Sequence, residues 1–333
     1  MYLLSCLLLI CLGVVGFLVL VWALYVPVIV RVFGETPWLR ASSLQPLDDG
    51  EECQFITSDG LRLRGSYLPT TAETRRGVIV YCHELAGDRW GAVPYIQDLR
   101  SQGFDIFTFD FRNHGTSDSL SEYRPMPWLT RYELADVQAA VNYVCSRPDA
   151  DSHGIGLIGV SKGGNAALCA AAGDPRVRAV VTDGAFPIDA MQRHYIRRFM
   201  RIYVRLPRWV ENIPDFCLLS FCAWAKFLLG WRSHCRFVNV DQVARQVRQP
   251  VFMIHGEQDG YIPLEVVRKL RTCLSGRSKL WIVPGVKHNG AIAAVTREYH
   301  RRIARFFQRM LASQRPPAPK LARQRGVPER MAR

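Results

Sequence analysis

Charge is missing from the first thirty residues. Residues 1–30, MYLLSCLLLICLGVVGFLVLVWALYVPVIV, hold no Asp, Glu, Lys or Arg, and the run exceeds the roughly 20 residues needed to cross a bilayer. It predicts a transmembrane anchor over residues 1–33. A basic n-region, a short apolar core and a small-residue cleavage site are also lacking, which disfavours the alternative of a secretory signal. Nothing basic but the amino group precedes the run, whereas Arg31, Arg40, Arg62 and Arg64 follow it. Because cytoplasmic flanks are enriched in Lys and Arg, the remainder of the chain is expected to face the cytoplasm.

Paired cysteine ligands are scarce as well. Of the ten cysteines, Cys6 and Cys11 lie in the apolar run, while Cys82, Cys145 and Cys169 fall inside predicted strands or helices and read as small buried hydrophobes of a reducing compartment. Cys217, Cys222 and Cys235 share one segment without the close Cys/His pairing of a zinc site. No metal and no cofactor are expected.

Acidic residues are outnumbered, 29 to 43, giving a formal charge of +14. Residues 187–250 hold eleven Lys/Arg against four Asp/Glu, and residues 301–333 hold ten against one, so everything else is nearly neutral. The basicity belongs to one internal segment and to the tail. No recognition motif accompanies it, which argues against a nucleic-acid partner.

With 49% apolar residues the chain is not broadly disordered. After a linker over 34–50, CQFITSDGLRLRGSYLP reads as a β-hairpin about a Ser-Asp-Gly turn. GVIVYCHE, DIFTFDF, GIGLIGV, AVVTDGA, PVFMIHG and KLWIVPG then follow as short β-rich runs, most of them separated by helix-length segments such as RYELADVQAAVNYVCS. That alternation implies an α/β fold, a mostly parallel sheet with helices on both faces and chemistry at the carboxyl ends of its strands. About 60 residues separate AVVTDGAF from PVFMIHG, too many for a simple crossover. The expected organisation is a domain over 51–312 with a helical cap inserted at 187–249, and a basic disordered tail over 313–333.

Each predicted strand end carries a candidate. GIGLIGVSKGGNAAL places Ser161 at a sharp strand-to-helix turn, where Gly159 and Gly163 leave room for close backbone. A serine hydroxyl is a weak nucleophile and needs an imidazole to take its proton and a carboxylate to orient that imidazole. HGEQDGYIP and PGVKHNG supply such groups in the order Ser, Asp, His.

Together with DFRNHGTSD, these motifs resemble the α/β-hydrolase fold superfamily, of serine hydrolase and esterase-lipase type, over about residues 53–311. The resemblance implies an α/β-hydrolase fold with Ser161 as nucleophile, His288 as general base and Asp259 as orienting acid, Glu257 and Asp183 being the rival carboxylates. It also implies an oxyanion hole from the backbone N–H groups of Lys162 and Leu85. Many relatives carry His-Gly where this chain has His83-Glu84, so Glu84 must point away or be paired, with Arg89 and Arg112 as candidate partners. His114 is expected to be structural.

Arg193, Arg197, Arg201 and Arg205 recur every four residues among Tyr195, Ile196, Phe199, Ile202 and Tyr203, with Arg198 and Arg208 beside them. On a helix this makes an amphipathic basic stripe suited to an anionic membrane surface; a solvated outer face is the plain alternative. The implied function is a membrane-anchored serine hydrolase acting on carboxylic, including lipid acyl, esters. The expected partners are an ester or acyl-lipid substrate and the membrane, met through the amino-terminal helix, cap and tail. An acyl-CoA thioesterase, a peptidase and a non-catalytic hydrolase-like membrane adaptor are the alternatives.

Overall fold

The computed structural model describes residues 2–34, 44–151, 154–199 and 215–312. In chain order its elements are α1 (Tyr2–Gly34), β1 (Glu51–Ile56), β2 (Arg62–Leu68), β3 (Gly77–Cys82), α2 (Val93–Ser101), β4 (Phe104–Phe109), α3 (Arg131–Ser146), β5 (Ile155–Val160), α4 (Lys162–Gly173), β6 (Val177–Asp183), α5 (Ile188–Phe199) and α6 (Asp215–Arg232). They continue with α7 (Val240–Ala244), β7 (Val251–Gly256), α8 (Leu264–Cys273), β8 (Ser278–Val283), α9 (Ala291–Ala294) and α10 (Thr296–Ala312). Arg201, Arg205 and Arg208 of the basic stripe and the tail over 313–333 lie outside the described residues.

The eight strands form one sheet in the order β1-β2-β4-β3-β5-β6-β7-β8. β1 and β2 are the expected hairpin, β2 meets β4 antiparallel, and every later pairing is parallel. Strands β3, β4, β5 and β7 are buried along their whole length, as near-continuous apolar strands must be when helices cover both faces. In β5 the period of two is visible: Ile155 and Leu157 join one core cluster, Ile158 and Val160 the other. The register then sets the functional edge, since Cys82 pairs with Gly159, Val160 with Asp183 and Gly256 with Val283. The residues following β3, β5, β6, β7 and β8 therefore emerge side by side.

The end of α1 packs on the domain: Val26, Val30 and Phe33 are buried in the same cluster as Trp128, Leu218, Cys222 and Leu229. Trp128 Nε1 donates to the Phe33 carbonyl at 2.8 Å, and the two rings meet edge-on. The first part of α1 is different: its described side chains from Ser5 to Leu20 are exposed. By length and composition α1 can cross a membrane.

Candidate active site

The turn after β5 is as tight as Gly-x-Ser-x-Gly requires. Ser161 has φ 51° and ψ −117°, a conformation side chains seldom adopt. A β-carbon on Gly159 would stand 2.3 Å from the Gly163 carbonyl oxygen, and one on Gly163 would stand 2.3 Å from the carbonyl oxygens of Cys82 and His83. Both positions thus exclude any side chain. The Ser161 N–H donates to the Asp183 carbonyl at 2.7 Å, which fastens the elbow to the neighbouring strand.

His288 lies between two groups 127 and 29 residues away. Its Nε2 is 3.1 Å from Ser161 Oγ, and its Nδ1 is 2.6 Å from Asp259 Oδ2. The other oxygen of Asp259 accepts the backbone N–H groups of Tyr261 and Ile262, each at 2.8 Å. Burial alone would raise the Asp259 pKa; the hydrogen bond and charge of His288, with the Ile262 N–H, outweigh it and hold the carboxyl below its ordinary value. The rivals are engaged elsewhere. Glu257 accepts the Gly285 N–H at 3.0 Å. Asp183 accepts the Tyr299 hydroxyl at 3.1 Å, and complete burial pushes its pKa up to about 7.

The loop after β3 departs from expectation at Glu84. Neither Arg89 nor Arg112 reaches it. Arg89 is held by Glu52 at 2.9 Å and Asp110 at 3.3 Å, and Arg112 by Asp59 and Asp136, both at 2.7 Å. Each guanidinium is already paired with two other carboxylates. Glu84 is instead taken by the side-chain amide of Asn289, the residue after His288. Leu85 is buried, its carbonyl 2.6 Å from His114 Nε2, while His114 Nδ1 is 2.8 Å from the Arg112 carbonyl. His83 accepts the Phe111 N–H at Nε2, and burial drives its pKa well below the ordinary value.

A fold of this kind is matched by known proteins. The sequence profile of the alpha/beta hydrolase fold matches residues 77–215. The esterase Pf2001 of Pyrococcus furiosus has a structure similar to 84% of this chain and 98% of its own, with TM-score 0.63 and 21% identity. The chain has the α/β-hydrolase fold. The uncharacterized protein YfhR of Escherichia coli K12 is similar to this chain at 24% identity over 268 residues, 79% of this chain and 78% of YfhR. The thiohydrolase aneE of Aspergillus aculeatus is 32% identical over 133 residues, 39% of this chain and 40% of its own.

Sequence reasoning missed several contacts of this site. Lys162 follows the serine in a helix whose first turn is buried, and its ammonium meets the buried Glu133 carboxylate at 2.6 Å. Burial would raise Glu133; Lys162, Thr130 and Tyr123 together hold its pKa below the ordinary value. The capping box of α3, Thr130 with Glu133, was legible in TRYE; its link to Lys162 was not. The Tyr261 ring stands 5.8 Å from that of His288. From the cap, the Tyr195 hydroxyl donates to the Tyr261 carbonyl and Arg198 donates to the Gly260 carbonyl, both at 3.1 Å. One arginine of the basic segment thus braces the acid loop. Among the described residues no group of three or more His, Cys, Asp or Glu is placed to hold a metal ion.

Proposed function

We propose that this chain is a membrane-anchored serine hydrolase that cleaves carboxylic esters, lipid acyl esters among them, through an acyl-enzyme. The observation that carries the reading is one imidazole, His288, set between Ser161 Oγ and Asp259 Oδ2. With Nδ1–H donated to Asp259, Nε2 is the acceptor that takes the Ser161 proton as Oγ attacks the ester carbonyl. The Lys162 N–H at the start of α4 and the Leu85 N–H serve the oxyanion that develops, where preorganised donors act most strongly. His288 then returns the proton to the leaving alkoxide, so the alcohol departs and the acyl group stays on Ser161. Water, deprotonated by the same nitrogen, cleaves that second ester and releases the carboxylic acid. Asp259 keeps its charge throughout.

Anchoring by α1 is supported by its length and apolar exposure, and a cytoplasmic site by Arg31 and the further arginines after the run. A thioester reading has its own support in the likeness to a thiohydrolase; there the leaving group is a thiolate.

Labelling of the full chain by a fluorophosphonate is the test. The wild type should be labelled, and Ser161→Ala should lose labelling together with turnover, on the order of 10⁴-fold or more. Retained labelling in that variant would move the nucleophile elsewhere. p-Nitrophenyl esters, monoacylglycerols and acyl-CoAs, compared at equal chain length, then separate ester from thioester preference.

A further inference from the structure

Helix α6 presents two opposite faces. Leu218, Cys222, Ala225 and Leu229 are buried in the core. Phe216, Trp224, Phe227 and Trp231 are exposed by 72%, 49%, 62% and 73%. At 3.6 residues per turn those four aromatics fall within about 80° of arc, on the side away from the buried row. Four large aromatics in one exposed stripe are more than the scattered apolar residues of a soluble surface.

The neighbour of that stripe is α1. The Trp22 ring meets Trp224 edge-on at 5.0 Å and Phe221 at 6.2 Å, and Leu229 lies against Gly34. Trp22 beside residues 221 and 224, and Gly34 beside 229, mean that the two helices run in the same sense. Phe216 therefore lies further toward the exposed part of α1, and Trp231 further toward the domain. A span of about 20 residues begun near Leu4 ends near Ala23, which places the Trp22–Trp224 pair at the boundary between hydrocarbon and water. Trp is enriched at that level, its ring amphipathic and its N–H able to reach the polar layer. Arg31 and Arg232, near the domain ends of the two helices, stand where anionic headgroups attract cations.

From these contacts we infer that α6 is a second membrane-binding element, a cap helix whose Phe216, Trp224, Phe227 and Trp231 seat in the bilayer interface beside α1. The inference rests on the reading of α1 as an anchor and adds to it a fixed pose. Because α6 packs on α5, and α5 reaches the acid loop through Tyr195 and Arg198, the bilayer lies one helix away from the loops around Ser161. A substrate drawn from the lipid layer has a short path.

Photocrosslinking of the full chain in phosphatidylcholine–phosphatidylserine vesicles tests the pose. Benzoylphenylalanine replaces Phe216, Phe227 or Trp231 in α6, or Phe17 in α1, one position at a time. Phospholipid adducts at Phe17 and at two or more of the α6 positions are expected. Adducts at Phe17 alone would overturn the inference and leave the anchor standing, whereas none at Phe17 would remove the anchor and the inference with it. Adducts to a second copy of the chain at the α6 positions would assign the stripe to self-association and overturn the lipid assignment. Activity supplies a second reading: Phe227→Ser with Trp231→Ser should slow hydrolysis of a vesicle-borne ester by about tenfold while sparing a soluble ester. Equal loss on both substrates would also overturn it.

Discussion

The side-chain amide of Asn289 donates to the Glu84 carboxylate, joining the loop that carries His288 to the loop that follows β3. A carboxylate next to the proposed oxyanion donors would oppose the charge that develops there, and the Asn289 amide gives it a hydrogen-bond partner. Asn289→Ala should therefore lower kcat by about tenfold, the size of a lost hydrogen bond to a charged group, with KM little changed. Adding Glu84→Gln should restore much of the loss. If the double variant is as slow as the single one, Asn289 acts on His288 and not through Glu84.

Asp259 and Asp183 are both strand-end carboxylates near His288, yet only Asp259 meets its Nδ1. Asp259→Asn is expected to reduce kcat by about 10³–10⁴-fold, through the wrong imidazole tautomer. Asp183→Asn, which keeps an acceptor for Tyr299, should change kcat only severalfold. Steady-state rates on a soluble ester decide, and the reverse ranking would exchange the two roles.

Asp183 also predicts a pH dependence of stability. Its pKa is raised from the ordinary carboxylate value to about 7 by burial, so between about pH 4 and 7 the native state holds a proton that the unfolded chain has released. The stability it contributes is complete below about pH 4 and is lost as pH rises through 7. Asn at this position cannot ionise. Thermal midpoints of the detergent-solubilised full chain should thus show Asp183→Asn gaining on the wild type from pH 5 to pH 8; a constant difference would mean that Asp183 is ionised throughout.

Lys162 and Glu133 form a buried ion pair below the serine elbow. Glu133→Ala strands an ammonium in the core and should cost about 3–5 kcal/mol of stability. The double change Lys162→Met with Glu133→Gln leaves no buried charge and keeps a capping residue for α3, so it should recover most of that loss. Denaturant midpoints of the three variants give the comparison.

Truncation of α1 should show two steps. Removing residues 2–20, whose described side chains are exposed, should leave turnover of soluble esters unchanged. Removing residues 2–34 strips Val26, Val30 and Phe33 from the core, each worth about 1.5–3 kcal/mol when fully buried. The longer deletion should melt many degrees lower. Equal melting temperatures would show that the end of α1 contributes nothing to the fold.

Much of this molecule was legible before any coordinate. Apolar runs broken at regular intervals by helix-period segments specify a covered parallel sheet, because period and apolar content are local properties of the chain. The Ser161 elbow is local too: the glycines at 159 and 163 are dictated by backbone that would meet any β-carbon. The order in which Ser161, Asp259 and His288 leave their strands follows from the same rhythm. Tertiary structure alone decided which carboxylate reaches His288, since Glu257, Asp259 and Asp183 have like chemistry and differ only in where sheet register and loop turns carry them. It also gave Glu84 a partner 205 residues away, when nearer arginines looked suitable and were occupied by other acids. The last turns of α1 carry the same lesson: an apolar run signals that its surface leaves water, but whether lipid or protein receives it depends on what packs alongside, and for Val26, Val30 and Phe33 that is α6 and Trp128.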